Sequence, residues 1–334
     1  MTQLGQAIIL LIVMFFATVL TGLIGLPLLR KFQLVQTVRD DGPKSHYSKS
    51  GTPTFGGLFF LLPLAIIAAI LPVANPKLMP FSVVVLLMLL FGLIGFLDDF
   101  VKVRIDKSGL SVRQKTILIG IFSTLFTLWY LFIKPDEPII ILPFVRKLIV
   151  IDGWWKLPYG LFVILFIFFI SNSVNITDGL DGLLSGLTVI TSFFLALSAW
   201  LLKDLVNSYF SSLLLSIALA GGCLGFLVFN RHPAKVFMGD TGSQALGAAF
   251  AGISLMLGVP WIMLITGFVF VFEGLSVVIQ FLYFRRTKGK RIFRMAPIHH
   301  HFELGGWKET KVVAVFCIVA AVCGLLGLLT VYPF

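Results

Sequence analysis

The chain has 334 residues, of which 58% are hydrophobic and 12% charged, with a formal net charge of +11. A soluble domain carries about one quarter charged residues. Half that share, with apolar runs recurring along the chain, excludes a soluble globular enzyme, a disordered chain and a disulfide-stapled secreted module. Each run is long enough to cross a hydrocarbon layer of about 30 Å as a helix, and residues 1–334 read as one polytopic membrane domain.

Ten apolar spans follow in chain order: 4–26, 55–73, 81–97, 117–133, 159–174, 183–202, 209–229, 241–257, 261–284 and 312–332. All are expected to be helices, because lipid offers the backbone no other hydrogen-bond partner, which makes the fold class all-α. No basic stretch precedes the first, so it reads as a span and not as a cleaved signal. Twenty of the 26 Lys and Arg residues lie in the odd-numbered loops, with His46, His232, His299, His300, His301 and ten of the fifteen acids. The positive-inside rule assigns those loops to the cytoplasm and both termini to the outside, and it accounts for the net charge without a nucleic-acid partner. In the longest outer loop, 134–158, β-branched runs at 139–142 and 148–151 flank residues 143–147, the pattern of a small hairpin. Cys223, Cys317 and Cys323 lie inside apolar runs without zinc spacing and read as small hydrophobic residues.

The chemistry-bearing residues fall in four inner segments. Asp98 and Asp99 close the third span in GFLDDFVKV. Two readings stand: a solvated helix end neutralised by Lys102 and Arg104, or a functional acid pair, since unpaired acids at a membrane edge are costly. Adjacent helical residues diverge by about 100°, so the two acids are expected to do different work.

SNSVNITDGLDGL, between spans five and six, sets Asn172, Asn175, Asp178 and Asp181 at three-residue steps. Asn, Asp and Gly suit any tight turn. The segment has no Lys or Arg, however, and a bound cation or donor-rich ligand would balance its acids. In NRHPAKVFMGDTGS, Pro233 stops one helix and Gly239-Asp240-Thr241-Gly242 opens the next, where free N–H groups favour phosphate. Asp240 reads equally well as a plain N-cap. Gly239, Ser243, Gly247 and Ala251 form a small-residue stripe suited to close helix packing.

The last inner loop runs from Arg285 through Arg294 into MAPIHHHFELGGWKE. Its basic run reads as a topology signal or an anionic-lipid contact. Three consecutive histidines cannot all face one ion on a regular helix and no thiol is near, which disfavours zinc; imidazoles beside phosphates fit better. Glu273 and Gln280 share one face of span nine. Glu273 is either a functional intramembrane acid or a hydrogen-bonded structural one, and Gln280, nearer the inner edge, is the better ligand contact. Carboxylates, amides, Lys, His and a helix N-terminus on one side of the bilayer make an inventory for Mg²⁺-dependent phosphoryl chemistry between a cytosolic nucleotide and a lipid phosphate.

From TPTFGG at Thr52 through LDDFVKV, NSVNITDGLDGL and FMGDTGS to RMAPIHHHFE, the chain resembles the polyprenyl-phosphate N-acetylhexosamine-1-phosphate transferase superfamily. RMAPIHHHFE resembles its muramoyl-pentapeptide branch. The resemblance implies ten transmembrane helices with both termini outside, a homodimer in the bacterial inner membrane, and a cytoplasmic site. The implied reaction moves phospho-MurNAc-pentapeptide from its UDP carrier to undecaprenyl phosphate, releasing UMP and forming lipid I, with Mg²⁺ as cofactor.

By the same resemblance Asp240 is the magnesium ligand. Asp98 and Asp99 are essential acids, Asp98 deprotonating or positioning the lipid phosphate. His299 is essential, His300 and His301 line the same cleft, and Lys102 and Lys115 sit near phosphates. Asn172, Asn175, Asp178, Asp181, Asn230, Phe237 and Gln280 line the pocket for the nucleotide and nucleoside inhibitors, with Phe237 stacking on uracil. Such an exchange of pyrophosphate linkages needs no protein nucleophile, so direct attack is expected, with an aspartyl-phosphate path as the alternative. Two rival functions remain. A sister enzyme using UDP-GlcNAc would share the acids but lack HHHFE. A secondary transporter would place its ionisable groups near the midplane, where only Glu273 is deep.

Overall fold

The computed structural model describes residues 2–35, 49, 51–145 and 147–332, so Arg39, Lys44 and His46 of the first inner loop, and Arg146, lie outside the described residues. The helices are α1 (Gln3–Lys31), α2 (Leu58–Ala74), α3 (Met79–Arg104), α4 (Val112–Leu128), α5 (Lys156–Thr177), α6 (Leu183–Leu201), α7 (Tyr209–Asn230), α8 (Gly239–Met256), α9 (Phe268–Arg286), α10 (Ile298–Glu303) and α11 (Glu309–Val331). Eight of them, all but α2, α8 and α10, are long and apolar enough to cross a membrane. The expected hairpin is present: β1 (Ile139–Ile141) pairs antiparallel with β2 (Leu148–Val150), Ile140 opposite Ile149.

The two remaining apolar spans differ from the other eight for separate reasons. Helix α2 is short, at 17 residues, with Pro63 and Pro72 inside it. Helix α8 opens on Gly-Asp-Thr-Gly-Ser-Gln, and every residue from Thr241 to Met256 is buried. A helix enclosed by other helices needs close backbone approach more than large apolar side chains. The expected small-residue stripe provides that approach: a Cβ on Gly247 would lie 2.5 Å from Ser171 Cα of α5. On another side, a Cβ on Gly252 would lie 2.6 Å from Val84 Cγ1 of α3. Helix α8 is therefore the central post, packed chiefly on α3 and α5.

Several helix boundaries depart from expectation: α1 and α3 run on to Lys31 and Arg104, past the expected ends at 26 and 97, and two other departures have a visible cause. The run 261–284 is not one helix. Pro260–Leu264 forms a 3-10 turn and α9 starts at Phe268. This stretch is drawn to the hairpin instead: Trp261 Nε1 donates to the Ile141 carbonyl at 2.7 Å, and Ile141 N–H to the Gly258 carbonyl at 2.8 Å. Helix α4 begins at Val112 and not at 117, because Ser111 and Gln114 form a reciprocal capping box that satisfies the first free N–H groups. That early start puts Lys115 in the first turn of α4, beside the acids of α3.

Candidate active site

Helix α3 runs unbroken to Arg104, so Asp98 and Asp99 lie within it. They face different neighbours, as their angular separation requires. Asp98 turns to α4: its Oδ2 is 2.6 Å from both Lys102 Nζ and Lys115 Nζ, and its Oδ1 accepts the Leu110 N–H at 2.7 Å. The loop before α4 can close on this carboxylate because Gly109 has φ +72° and no side chain; a Cβ there would lie 2.5 Å from Asp98 Oδ1.

Asp99 turns to α8. It accepts the Asp240 N–H at 3.2 Å, the Thr241 N–H at 3.0 Å and the Thr241 hydroxyl at 2.8 Å. Met238, the residue at the N-cap position, offers no side-chain bond, so Asp99 caps α8 from a different helix. The Gly239 N–H lies close to the Asp178 carboxylate. Protein carboxylates thus take the N–H groups expected to cradle phosphate, and Asp240 is not the cap. Gly239 is required here, with φ +74° and a Cβ position 2.5 Å from Asp99 Oδ2.

Freed from capping, the Asp240 carboxylate reaches into a shared cluster. Its Oδ2 accepts from Lys102 Nζ at 2.9 Å and Lys115 Nζ at 3.1 Å, and its Oδ1 from Asn175 Nδ2 at 3.1 Å. Both lysines therefore bridge Asp98 and Asp240. Asp98, Asp99, Asp178 and Asp240 face only these two ammonium groups among the described residues, leaving excess negative charge and an all-oxygen donor set.

Half-buried Asp178 shows the strain of that excess. Burial, then the charges of Asp240, Asp99 and Asp181, push its carboxyl from 3.8 up to about 8, against the pull of the Gly239 N–H. The folded protein then keeps a proton that the unfolded chain releases, so this group's contribution to stability falls as pH rises from about 4 to 8. Asp178→Asn is expected to flatten that part of the pH–stability curve in thermal unfolding of metal-free protein. An unchanged slope would contradict the assignment.

Asp181, three residues on, belongs to a second cluster. Lys49 Nζ lies 2.7 Å from Asp181 Oδ1 and 2.6 Å from Glu309 Oε1, and His232 Nδ1 is 3.0 Å from Asp181 Oδ2. The basic partner missing from the local sequence is thus supplied by the first inner loop, and Asp181 needs no ligand to balance it. Ligand atoms of Asp181, His232 and Glu309 lie within 4.8 Å of one another, a spacing open to a metal, but the Lys49 ammonium already joins the two carboxylates.

Other candidate residues are engaged internally. Asn172 Nδ2 donates to the Phe168 carbonyl at 2.7 Å. Asn230 accepts from the Ser185 hydroxyl at 2.8 Å and donates to the Val236 carbonyl at 3.1 Å. Gln280 Oε1 accepts the Ile292 and Phe293 N–H groups, each at 3.1 Å, and its Nε2 donates to the Phe293 carbonyl. Phe237 is half-buried, and its backbone pairs with Pro53 and Gly56 of the TPTFGG segment. His300 Nδ1 is 2.7 Å from Glu303 Oε2, and His301 Nδ1 accepts the Arg294 N–H at 3.1 Å. His299 is buried against Glu273, with Nδ1 and Oε2 3.1 Å apart. Lys49, Thr241 and the Leu110 N–H were not legible as site residues, since their partners are remote in sequence or lie in the backbone.

Comparison with known proteins places this arrangement in a family. The profile of glycosyl transferase family 4 matches residues 81–258, which hold the Asp98, Lys102, Lys115 and Asp240 cluster. The phospho-N-acetylmuramoyl-pentapeptide-transferase of Acetivibrio thermocellus is 44% identical over 318 residues, 95% of this chain and 92% of the relative. The protein of the same name from Desulforamulus reducens is 42% identical, covering 96% of this chain and 94% of its own length. That from Listeria welshimeri is 43% identical over 91% of both. The chain belongs to glycosyl transferase family 4 and, within it, to the family of the phospho-N-acetylmuramoyl-pentapeptide-transferases.

Proposed function

We propose that this protein transfers phospho-MurNAc-pentapeptide from UDP-MurNAc-pentapeptide to undecaprenyl phosphate, releasing UMP and forming lipid I for peptidoglycan synthesis. The observation that carries the reading is the cluster of Asp98, Lys102, Lys115 and Asp240 at one end of a bundle of apolar helices. Two anionic substrates, one from the cytosol and one from the bilayer, repel each other. Two lysines pinned between carboxylates offer fixed positive charge where such phosphates would meet.

The exchange breaks one pyrophosphate linkage as it forms another, so the lipid phosphate attacks directly once charge is offset. Asp98 positions that phosphate or takes its proton. Asn175, Asp178, Gly239 and Phe237 face the nucleotide with His300 and His301. Asn172, Asp181, Asn230 and Gln280, whose polar atoms bind within the protein, hold the walls of the pocket.

Mg²⁺ belongs to this reading. Excess carboxylate charge and oxygen-only donors suit a hard divalent cation; Asp240 would hold it, and when bound it would supply charge neutralisation between the phosphates. Helices α2 and α8 complete ten membrane spans, with both termini outside and the acid cluster facing the cytoplasm. The assembly is a homodimer in the bacterial inner membrane and a target for nucleoside inhibitors.

Purified protein supplied with undecaprenyl phosphate and labelled UDP-MurNAc-pentapeptide or UDP-GlcNAc is expected to yield labelled lipid and UMP from the first alone. Product from UDP-GlcNAc only would assign the chain to the sister reaction. Solute uptake without either product would assign it to transport. Because each lysine alone still bridges both acids, Lys102→Ala and Lys115→Ala are expected to be non-additive. The coupling in kcat/KM should be about 0.5–3 kcal/mol, and additive losses would show that the two act separately.

A further inference from the structure

Glu273 is a carboxylate inside a membrane helix for which nothing in the acid–lysine cluster accounts. Its Oε2 lies 3.1 Å from His299 Nδ1, and the two side chains are 0% and 1% exposed. The second polar atom of each, Glu273 Oε1 and His299 Nε2, is buried without a hydrogen-bond partner among the described residues. The free nitrogen has a direction. It is aimed at Gly179, where a Cβ would overlap Nε2 and Cε1 of the ring. Gly179 directly follows Asp178, whose neighbour Gly239 opens α8. His300 packs edge-on to the same imidazole, ring centroids 4.1 Å apart, and limits its tilt.

A purely structural pair would use both ring nitrogens internally, since an unsatisfied buried polar atom is costly. This pair satisfies one nitrogen and leaves the other at the turn assigned to the nucleotide. The hydrogen bond made by one imidazole nitrogen sets the role of the other. With Nδ1–H donated to Glu273, Nε2 is the nitrogen left to meet a phosphate oxygen. It donates there when the ring carries a second proton, whose charge the carboxylate offsets.

We propose that Glu273 is a positioning residue for the transfer, fixing the tautomer and orientation of His299 so that Nε2 faces the Asp178–Gly179 turn. The proposal rests on the transferase reading and names the group that orients one of its essential side chains. It also explains an acid whose depth in the bundle otherwise suggests ion transport.

The test uses full-length protein labelled with ¹⁵N-histidine, with Glu273→Gln and Glu273→Ala compared with wild type and His299→Gln used to assign the signal. The expected wild-type signature is a ring protonated at Nδ1. Glu273→Ala should mix the tautomers and lower kcat by about 10²-fold or more, the scale of a lost acid–base group, with KM for both substrates changed less than about threefold. Glu273→Gln, whose amide oxygen still accepts the N–H, should keep the tautomer and lose kcat by about tenfold. A folded Glu273→Ala with wild-type tautomer and kcat would overturn the proposal. So would Glu273→Gln at wild-type kcat, or losses confined to KM. Wild-type protein that makes no product would sink the transferase reading instead, and the ¹⁵N signal would still decide whether Glu273 sets the ring.

Discussion

Asp240→Asn is expected to lower kcat for UMP release on the order of 10³-fold, the scale of removing one preorganised charge from a reacting centre, while the protein keeps its fold. The side chain is 20% exposed and faces Lys102 and Lys115. It takes no part in capping α8, because Asp99 accepts the Asp240 and Thr241 N–H groups. Asparagine keeps the volume, and both lysines keep Asp98 as partner. The charge at the meeting point of the phosphates is what disappears. UMP release and thermal unfolding on the same preparation separate the two effects. Turnover within tenfold of wild type would contradict the role, and so would a loss that merely follows unfolding.

Asp99→Ala should show the reverse signature, a loss of stability of about 3 kcal/mol or more. Asp99 is 4% exposed and accepts three hydrogen bonds from the start of α8. Alanine leaves two N–H groups and a hydroxyl buried without partners, at about 1–3 kcal/mol each. Because α8 is the central post of the bundle, its first turn cannot fray independently of the rest. Asp99→Asn keeps an acceptor oxygen and should cost less. Turnover lost in the alanine variant then follows displacement of Asp240. An alanine variant that melts with wild type would contradict the capping role.

These two acids mark how far the sequence alone could be read. Their adjacency in α3 already required different partners, and the clustering of carboxylates, lysines and histidines in inner loops pointed to one chemical end. The apolar runs and the hairpin were equally legible, because hydrophobic runs of span length and paired β-branched runs around a turn are local signals. The cap on α8 was not legible, since its donors and its acceptor lie 141 residues apart. Nor was the Lys49 bridge to Asp181, across 132 residues. The segment at 260–267 looked like the start of a helix because it is apolar throughout; the Trp261 indole, with the Gly258 carbonyl just before it, is drawn to the hairpin instead. Gln280 looked free for a ligand, yet its carbonyl oxygen and one amide N–H go to residues 292 and 293. The start of α4 could have been placed from Ser111 and Gln114, a capping pattern readable in one turn.

The central claim is that a divalent cation and two anionic substrates meet at Asp240. Mn²⁺ binding, followed by electron paramagnetic resonance on purified wild-type, Asp240→Asn and Glu309→Gln proteins, tests it most directly. The wild type and Glu309→Gln should bind the ion alike, and Asp240→Asn should lose it. Retention by Asp240→Asn with loss in Glu309→Gln would move the cation to Asp181, His232 and Glu309 and contradict the account.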